Sequence, residues 1–444
     1  MNTIVVLGGG ESGVGSAVLA KLKGFNVFLS DNGKIEEKYI SLLKKYDIFF
    51  EQGGHSIDRI LEADEVIKSP GIPDNVPLIV AIKEKGIKII SEIEFAGRYC
   101  KAKKICITGS NGKTTTTSLI YYILKNAGYN VGLGGNIGKS FALQVATENF
   151  DYYVLELSSF QLDGMYDFKA DIAILMNITP DHLDRYNFKM QNYINSKFRI
   201  IRNMEGEDSF IFCADDPITA KELEKILTKT KMLPFSQENQ VKEGACIKED
   251  KLSINIDGDE YVMYLKELAL TGKHNIYNSM AAAIAAKAVK IDNKQIRQSL
   301  MNFKGVEHRM EKVLSIKGVL YINDSKATNV NSSWYALDSM TSNVVWIAGG
   351  KDKGNDYEPL YQLVKDKVRV LICMGLHNEK LHDAFGDKVD TIIDVKSAKD
   401  AVNTAYKYAQ PGETVLLSPC CASFDLFKSY EDRGNQFKEA VKTL

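Results

Sequence analysis

The chain lacks the features by which membrane, secreted and nucleic-acid-binding proteins are usually identified. Its 56 basic and 57 acidic residues nearly cancel, so the charge favours neither a nucleic-acid partner nor an anionic membrane surface. No apolar run is long enough to span a bilayer. The apolar N-terminus has no basic segment and is interrupted by Gly8, Gly9 and Gly10. We interpret it as a strand and turn, not as a signal peptide.

The cysteines do not form a metal-binding motif. Seven are present, either scattered or adjacent as at Cys420-Cys421, without the spacing of metal ligands. This pattern fits reduced thiols in a cytosol. Internal repeats and low-complexity tracts are lacking as well. We therefore expect a soluble, cytoplasmic, globular protein of about three domains, without a membrane insert.

Strand-like runs alternate with helical patterns along nearly the whole chain, which predicts α/β domains with mostly parallel sheets. We place domains at 1–97, 98–304 and 305–444. The second contains a predicted antiparallel excursion, 245–265, with Asp257-Gly258 as a hairpin turn signal. Predicted strands of the third are 319–323, 344–348, 368–374, 391–395 and 414–418.

The most informative stretch is 105–117, where an apolar strand-type run enters a glycine-rich turn, then Gly-Lys-Thr and a helical pattern. Such a loop holds nucleotide phosphates on backbone N–H groups and a lysine, with a hydroxyl available for Mg²⁺. The spacing departs from the full P-loop pattern, because Ile107 replaces the first glycine and Gly109 takes up the turn. The alternative is an ordinary strand-turn-helix. Predicted phosphate-binding residues are Gly109, Ser110, Asn111, Gly112, Lys113, Thr114 and Thr115.

A second glycine-rich turn follows the first predicted strand. The run from Gly8 to Gly13 matches the dinucleotide fingerprint, and Asp31 lies where a ribose-binding acid is expected. Taken alone, this predicts a nicotinamide-dependent dehydrogenase, but nothing downstream resembles a hydride-transfer site. We favour another diphosphate-bearing ligand, while a purely structural turn stays open. The turn 69–72 either closes over that ligand or is an ordinary loop.

Three polar side chains of the second segment are out of place for a packed domain. Glu156 lies in a strongly apolar strand, where a Mg²⁺ would compensate its charge better than a structural ion pair. His182 follows another strand in a polar loop, where a site role is favoured over an ordinary surface or core histidine. Lys197 falls on the apolar face of a predicted helix over 191–204. From helix geometry alone, a lysine that snorkels to solvent is the favoured interpretation there.

The third segment places an arginine and several polar loops after its strands. Arg309 follows the domain junction, and arginine suits phosphate. The strand-end runs 323–329, 349–354 and 418–425 carry lysines and hydroxyls. They predict a binding face for a small molecule with carboxylates, although ordinary turns are the alternative.

These residues together resemble the Mur ligase family of peptidoglycan synthesis over essentially the whole chain. Within that family, the runs 323–329 and 417–425, followed by Phe427, Tyr430, Arg433 and Gly434, are similar to members that add D-glutamate. The further shared runs are 108–114, 135–138, 155–162, 177–185, 272–278 and His308-Arg309.

The resemblance implies a UDP-sugar-binding Rossmann-like domain, a central P-loop-type ATPase domain and a C-terminal Rossmann-like domain that receives the amino acid. It implies a monomeric ATP-dependent ligase that joins D-glutamate to UDP-N-acetylmuramoyl-L-alanine through an acyl phosphate. It also changes the interpretation of Lys197. Addition of CO₂ would turn this lysine into an anionic carbamate whose oxygens can hold a metal ion.

Residue roles carry over by matching position only. For ATP and metal, the implied positions are Lys113 at the β- and γ-phosphates, Thr114 and Glu156 at one Mg²⁺, His182 and carbamylated Lys197 at a second, Asn275 and Asn278 near adenine, and Arg309 and Asp324 at phosphate and ribose. For the UDP-substrate they are Ser12, Gly13, Asp31, Asn32, Ser69, Gly71 and Asn136; for D-glutamate, Lys326, Thr328, Lys353, Ser423, Phe424 and Tyr430. Lys113, His182, Lys197, Arg309 and Lys326 are the implied catalytic set.

Two departures and two rivals remain open. Glu11 and Asn32-Gly33 differ from the family's usual uracil-side turn, and Lys351 competes with Lys353 for the amino acid. One rival is another amino-acid-adding ligase, including folylpolyglutamate synthase. The other is a nucleotide-binding regulator without catalysis.

Overall fold

Three sheets, each formed by one stretch of the chain, organise the computed structural model, which describes residues 2–444. The chain divides into two compact units, one running to Ala269 and including Asn275–Phe303, the other formed by Leu270–His274 and Lys304–Leu444. The predicted α/β class is confirmed. Within the described residues, no helix has the length and apolarity needed to cross a bilayer.

The first sheet is wholly parallel, in the order β3-β2-β1-β4-β5. Its central strand β1 is an unbroken apolar run because helices cover both faces. The strands are β1 Thr3–Leu7, β2 Asn26–Asp31, β3 Phe49–Gln52, β4 Glu65–Lys68 and β5 Lys88–Ile90. The helices are α1 Glu11–Leu22, α2 Glu37–Lys45, α3 Ile57–Ile60, α4 Pro77–Glu84 and α5 Glu92–Gly97.

The second sheet has nine strands in the order β14-β13-β12-β11-β10-β9-β6-β8-β7. They are β6 Lys103–Thr108, β7 Val131–Gly135, β8 Tyr152–Glu156, β9 Ile172–Leu175, β10 Ser209–Cys213, β11 Lys231–Ser236, β12 Gly244–Lys248, β13 Lys251–Ile256 and β14 Asp259–Tyr264. The helices of this stretch are α6 Lys113–Asn126, α7 Phe141–Thr147, α8 Ser159–Asp163, α9 Met190–Phe198, α10 Pro217–Leu223, α11 Lys273–Ala288 and α12 Asn293–Asn302.

The predicted antiparallel excursion is confirmed as β12, β13 and β14. Asp257 and Gly258 join β13 to β14 with φ of 54° and 81°. Positive φ at both central residues is what a two-residue hairpin turn of this hand requires. The Asp-Gly signal therefore identified the turn from sequence alone.

The third sheet runs β15-β16-β20-β17-β18-β19, and only β15 is antiparallel to its neighbour. Prediction missed β15, an edge strand whose side chains are mostly exposed. The strands are β15 Glu311–Ile316, β16 Val319–Asn323, β17 Val344–Ala348, β18 Val368–Met374, β19 Thr391–Val395 and β20 Thr414–Leu417. The helices are α13 Val330–Asp338, α14 Tyr361–Lys367, α15 Glu379–Phe385, α16 Ala398–Tyr408 and α17 Tyr430–Lys442, with short 3₁₀ turns at Leu183–Tyr186, Arg199–Ile201, Leu265–Glu267 and Glu358–Leu360.

A buried carboxylate links the elements of the first two sheets. Glu92 begins α5, and its Oε1 accepts hydrogen bonds from Ser140 Oγ at 2.5 Å and from Ala142 N at 3.0 Å, at the start of α7. Its Oε2 is buried without a hydrogen-bond partner. Burial raises the pKa of Glu92 to about 7, and the nearby Glu11 carboxylate adds to the shift. Glu92 therefore changes charge near neutral pH.

We expect the free energy of unfolding to fall less in Glu92→Gln than in the wild-type chain when the pH rises from 5 to 8. A pKa raised from 4.5 to about 7 in the folded state gives stability that is present at low pH and lost as pH rises through 7. The shift corresponds to about 3 kcal/mol. Urea unfolding at both pH values measures it, with Glu84→Gln as the exposed control. Parallel pH dependence of wild type and Glu92→Gln contradicts it.

Candidate active site

The carboxyl ends of β6, β7, β8 and β9 meet at one edge of the second sheet. The register pairs Ile107 with Glu156, Thr108 with Leu175, and Gly135 with Glu156. The predicted phosphate loop, Glu156 and the turn that follows β7 therefore lie together. This edge is where an open parallel sheet presents its ligand-binding groups.

The phosphate loop has the backbone that its glycines predict. Gly109 and Gly112 have φ of 142° and 83°, a region that side-chain-bearing residues rarely adopt. Helix α6 begins directly afterwards, at Lys113. Lys113 Nζ donates to the carbonyl oxygens of Gly109 at 2.7 Å and Ser110 at 2.8 Å. The ammonium and the N-terminus of a long helix thus form one positive site that suits phosphate.

The loop after β9 supports the phosphate loop from one side. Asn177 Oδ1 accepts from Asn111 N at 2.9 Å, and Ser110 Oγ donates to Thr179 O at 2.8 Å. Tyr193 OH lies 3.0 Å from Ser110 Oγ. Sequence reasoning missed Tyr193, although its position four residues before Lys197 on the same helix was the available signal.

Lys197 lies beneath the phosphate loop. It is only 2% exposed, and its Nζ donates to Gly109 O at 2.9 Å and Thr108 Oγ1 at 3.1 Å. Burial lowers the pKa of Lys197 well below its usual value, and the Lys113 charge lowers it further. The snorkelling interpretation is wrong, because the amine points into the site. Helix α9 ends one residue later and continues as a 3₁₀ turn, Arg199–Ile201, instead of the predicted helix to 204.

Glu156 is a buried carboxylate at the end of β8, 1% exposed. Its Oε1 accepts from Asn136 Nδ2 at 2.8 Å, and its backbone oxygen accepts from Asn136 N at 2.8 Å. This bond to a predicted substrate residue links the carboxylate to the turn after β7.

His182 lies at a tight turn, with φ of 53°, and its side chain is 38% exposed. The Phe160 ring packs against its imidazole at 5.1 Å between centroids. Thr114, at the start of α6, is buried. The buried carboxylate of Glu156 and a hydroxyl at the phosphate loop are oxygen donors of the kind that Mg²⁺ prefers.

The two predicted adenine-side residues lie at the start of α11. Asn278 is 3% exposed; its Oδ1 accepts from Thr116 Oγ1 at 3.2 Å and its Nδ2 donates to Asn275 Oδ1 at 3.1 Å. The bond from Thr116 fastens α11 to α6, the helix that carries Lys113, while the bond to Asn275 lies within α11.

The second glycine turn is organised by Asp31. Its Oδ2 accepts from Gly9 N at 2.5 Å and its Oδ1 from Gly33 N at 2.6 Å. Gly8 approaches the Ser69 side chain so closely that a Cβ there would lie 2.4 Å from Ser69 Oγ. The turn after β1 and the turn after β4 are therefore neighbours. Of the other residues predicted here, Asn32 and Gly71 are exposed, while Ser12 and Gly13 lie in the first turn of α1.

Gly13→Ala should destabilise the chain by about 1–3 kcal/mol through overpacking, because its Cβ would lie 1.9 Å from Gly8 O. Gly10→Ala is the matched control, since no atom lies within 4 Å of a Cβ there and its φ of −87° suits alanine. Urea unfolding compares the two. Equal stability of both variants would contradict the close-packing role of Gly13.

In the second unit, Asp324 is a buried carboxyl group, 3% exposed. It accepts from Ser418 Oγ at 3.0 Å and from Met310 N at 3.2 Å. Burial raises the pKa of Asp324 to about 6, and the Arg309 charge opposes the shift. Arg309 and Asp324 are thus close enough to interact electrostatically.

The predicted amino-acid residues follow β16, β17 and β20. Lys326 Nζ lies 5.0 Å from the centroid of the Tyr430 ring, and Thr328 N donates to Lys326 O at 3.0 Å. Ser423 is buried, whereas Phe424 is 68% exposed. Lys351 and Lys353 are both exposed, so burial does not choose between them.

Arg433 is a residue to which sequence reasoning gave no role. It is 1% exposed and donates to the carbonyl oxygens of Ser325 at 2.8 Å, Cys421 at 3.2 Å and Gly349 at 3.4 Å. One guanidinium therefore fastens three strand-end loops. The signal was its helical spacing with Phe437 on the buried face of α17.

Three family models match successive stretches of the chain. Residues 3–76 match the MurD N-terminal domain, 107–286 the Mur ligase middle domain, and 308–421 the Mur ligase, glutamate ligase domain. The chain is 60% identical over 447 residues, and over the full length of both proteins, to UDP-N-acetylmuramoylalanine–D-glutamate ligase of Bacteroides fragilis. It is 40% identical to the protein of that name from Salinibacter ruber, covering 99% of this chain and 97% of the relative.

Solved structures show the same fold at lower identity. A pseudomurein peptide ligase type C from Methanothermus fervidus aligns over 100% of both chains with a TM-score of 0.62 and 22% identity. UDP-N-acetylmuramate-alanine ligase from Thermotoga maritima aligns over 100% of this chain and 99% of its own with a TM-score of 0.63 and 18% identity.

Proposed function

The chain belongs to the Mur ligase family, and we propose that it adds D-glutamate to UDP-N-acetylmuramoyl-L-alanine at the expense of ATP. Its relatives at 60% and 40% identity carry the name of that reaction. The observation that carries the proposal is the placement of Lys113, Lys197 and Glu156 around one phosphate loop.

The proposed reaction has two steps. The L-alanine carboxylate attacks the γ-phosphate of ATP and forms an acyl phosphate and ADP. The D-glutamate amine then attacks the acyl carbon, and the tetrahedral intermediate expels phosphate. Negative charge gathers in both steps, so the cationic side chains of Lys113, Arg309 and Lys326 would stabilise the transition states electrostatically.

Thr114 and Glu156 would hold one Mg²⁺ and His182 with Lys197 a second; such ions neutralise phosphate charge. Lys197 fits a carbamate because its buried amine, with its lowered pKa, is a nucleophile toward CO₂. The resulting anion would be attracted to the nearby Lys113 ammonium, whose charge disfavours a cationic Lys197.

We assign the substrates by segment. Residues 1–97 would bind the uridine nucleotide, 98–304 ATP, and 305–444 D-glutamate. The UDP-substrate residues are Ser12, Gly13, Asp31, Asn32, Ser69, Gly71 and Asn136; those for D-glutamate are Lys326, Thr328, Lys353, Ser423, Phe424 and Tyr430. Asn275, Asn278 and Asp324 would contact the nucleoside of ATP. We further propose a cytoplasmic monomer.

ADP release measured with ATP, UDP-N-acetylmuramoyl-L-alanine and a panel of amino acids tests the proposal. We expect stimulation by D-glutamate and none by L-alanine, L-glutamate or diamino acids. Stimulation by another amino acid defeats the assignment in favour of a different ligase. ATP binding without amino-acid-dependent ADP release would instead favour a nucleotide-binding regulator that has no catalytic activity.

Lys197→Ala should lower turnover by about a hundredfold or more, because a metal ligand is lost. Bicarbonate or a short carboxylate such as formate should restore it in part by occupying the vacated space. Lys287→Ala is the matched control, because Lys287 is also a buried lysine but pairs with Asp259. Formate should leave the rate of that variant unchanged. Full activity of Lys197→Ala contradicts the ligand role.

A further inference from the structure

The second unit contains three potential metal ligands, a thiol, an imidazole and a carboxylate, that the proposed ligase chemistry does not use. Cys373 Sγ, a ring nitrogen of His382 and a carboxylate oxygen of Asp394 all lie within 4.8 Å of one another. They come from β18, α15 and β19, so the fold, not a sequence motif, brings them together. Among residues 2–444, no other group of three or more His, Cys, Asp or Glu side chains has its ligand atoms this close together.

The side chains are already oriented toward a common point. His382 Nε2 lies 3.1 Å from both carboxylate oxygens of Asp394. Asn378 Nδ2 donates to Asp394 Oδ1 at 2.9 Å and to Cys373 O at 3.3 Å. Hydrogen bonds of this kind, made by a neighbour to the ligands, fix ligand orientation in metal sites.

The exposure and the charge of these side chains also suit a metal site. Cys373 is buried, while the His382 and Asp394 side chains are 42% and 55% exposed, so these two can adjust to a tetrahedral separation and leave a fourth position open to water. A thiolate and a carboxylate together neutralise a divalent cation. Binding would transfer the thiol proton of Cys373 to solvent, because the metal-bound form of cysteine is the thiolate.

We propose that Cys373, His382 and Asp394 bind a thiophilic divalent cation of the Zn²⁺ class. Thiolate and imidazole ligands select zinc and cobalt over Mg²⁺, which prefers oxygen. The site is therefore chemically distinct from the oxygen-rich one at the phosphate loop, and the inference does not rest on the ligase activity.

The proposed cation would stiffen a loop beside the predicted amino-acid residues. The loop after β18 is fastened to the run that contains Ser423 and Phe424, because Leu376 N donates to Asp425 Oδ2 at 3.1 Å. Cross-linking β18, α15 and β19 through one ion therefore raises the melting temperature of the second unit.

Cobalt absorption tests the proposal on the full chain, with a thiol-free reductant and without nucleotide. We expect a near-ultraviolet sulfur-to-cobalt charge-transfer band that Zn²⁺ abolishes by competition and excess Mg²⁺ does not. Cys373→Ser should lose the band. Cys246→Ser, which alters a buried cysteine of β12, should retain it. Cobalt held by oxygen and nitrogen ligands at the phosphate loop gives no such band.

Further variants keep the test decisive if Cys373→Ser folds poorly. His382→Gln changes a half-exposed side chain and should abolish the band without altering the circular dichroism spectrum. Asn378→Ala removes only the orienting amide and should weaken cobalt binding about tenfold. A wild-type chain without the band, or a band that survives in Cys373→Ser or His382→Gln, overturns the proposal.

Discussion

The Lys197 amine is held beneath the phosphate loop by Gly109 O and Thr108 Oγ1. Burying an amine costs free energy unless it is neutral or compensated, and Lys113 lies close enough to make a second positive charge unfavourable. The residues around Lys197 reduce this cost. The carboxylates of Asp181 and Glu156 partly oppose the lowering of the Lys197 pKa. Glu156 ends the neighbouring strand, and its Oε1 accepts a hydrogen bond from Asn136.

The same constraint links the predicted catalytic groups to the fold. Lys197 reaches the loop because α9 packs across the carboxyl ends of the central strands, where Tyr193 contacts Ser110. The second unit solves a comparable problem with Arg433, a buried cation that bonds only to carbonyl and hydroxyl oxygens of three loops. Burial lowers the pKa of Arg433 to about 10, but the group stays charged at neutral pH. Both units thus use the buried nitrogen donors of a basic side chain to hold strand-end loops.

Much of this could be predicted, because it depends on local signals. The Asp257-Gly258 turn, five of the six strands of the third sheet and the glycines of the phosphate loop follow from backbone rules that act over a few residues. The roles of Tyr193 and Arg433 could not be predicted in the same way, since each depends on which loops meet in space. Sequence analysis missed the group of Cys373, His382 and Asp394 for the same reason. These ligands are spaced irregularly in sequence and come together only in the folded sheet.

Lys197 itself shows both the strength and the limit of sequence reasoning. Its position on an apolar helix face marked it as unusual, but helix geometry favoured a snorkelling side chain. Only the packing of α9 under the loop between β6 and α6 shows that the amine faces inward. Its two hydrogen-bond acceptors leave a neutral amine lone pair available for reaction with CO₂.

The most direct test of this account is carbon-13 NMR of the full chain equilibrated with ¹³C-labelled bicarbonate. We predict a carbamate carbon resonance in the wild-type protein that is absent from Lys197→Ala and retained in Lys287→Ala. A fully active wild-type protein without that resonance, or a resonance that persists in Lys197→Ala, would contradict the account.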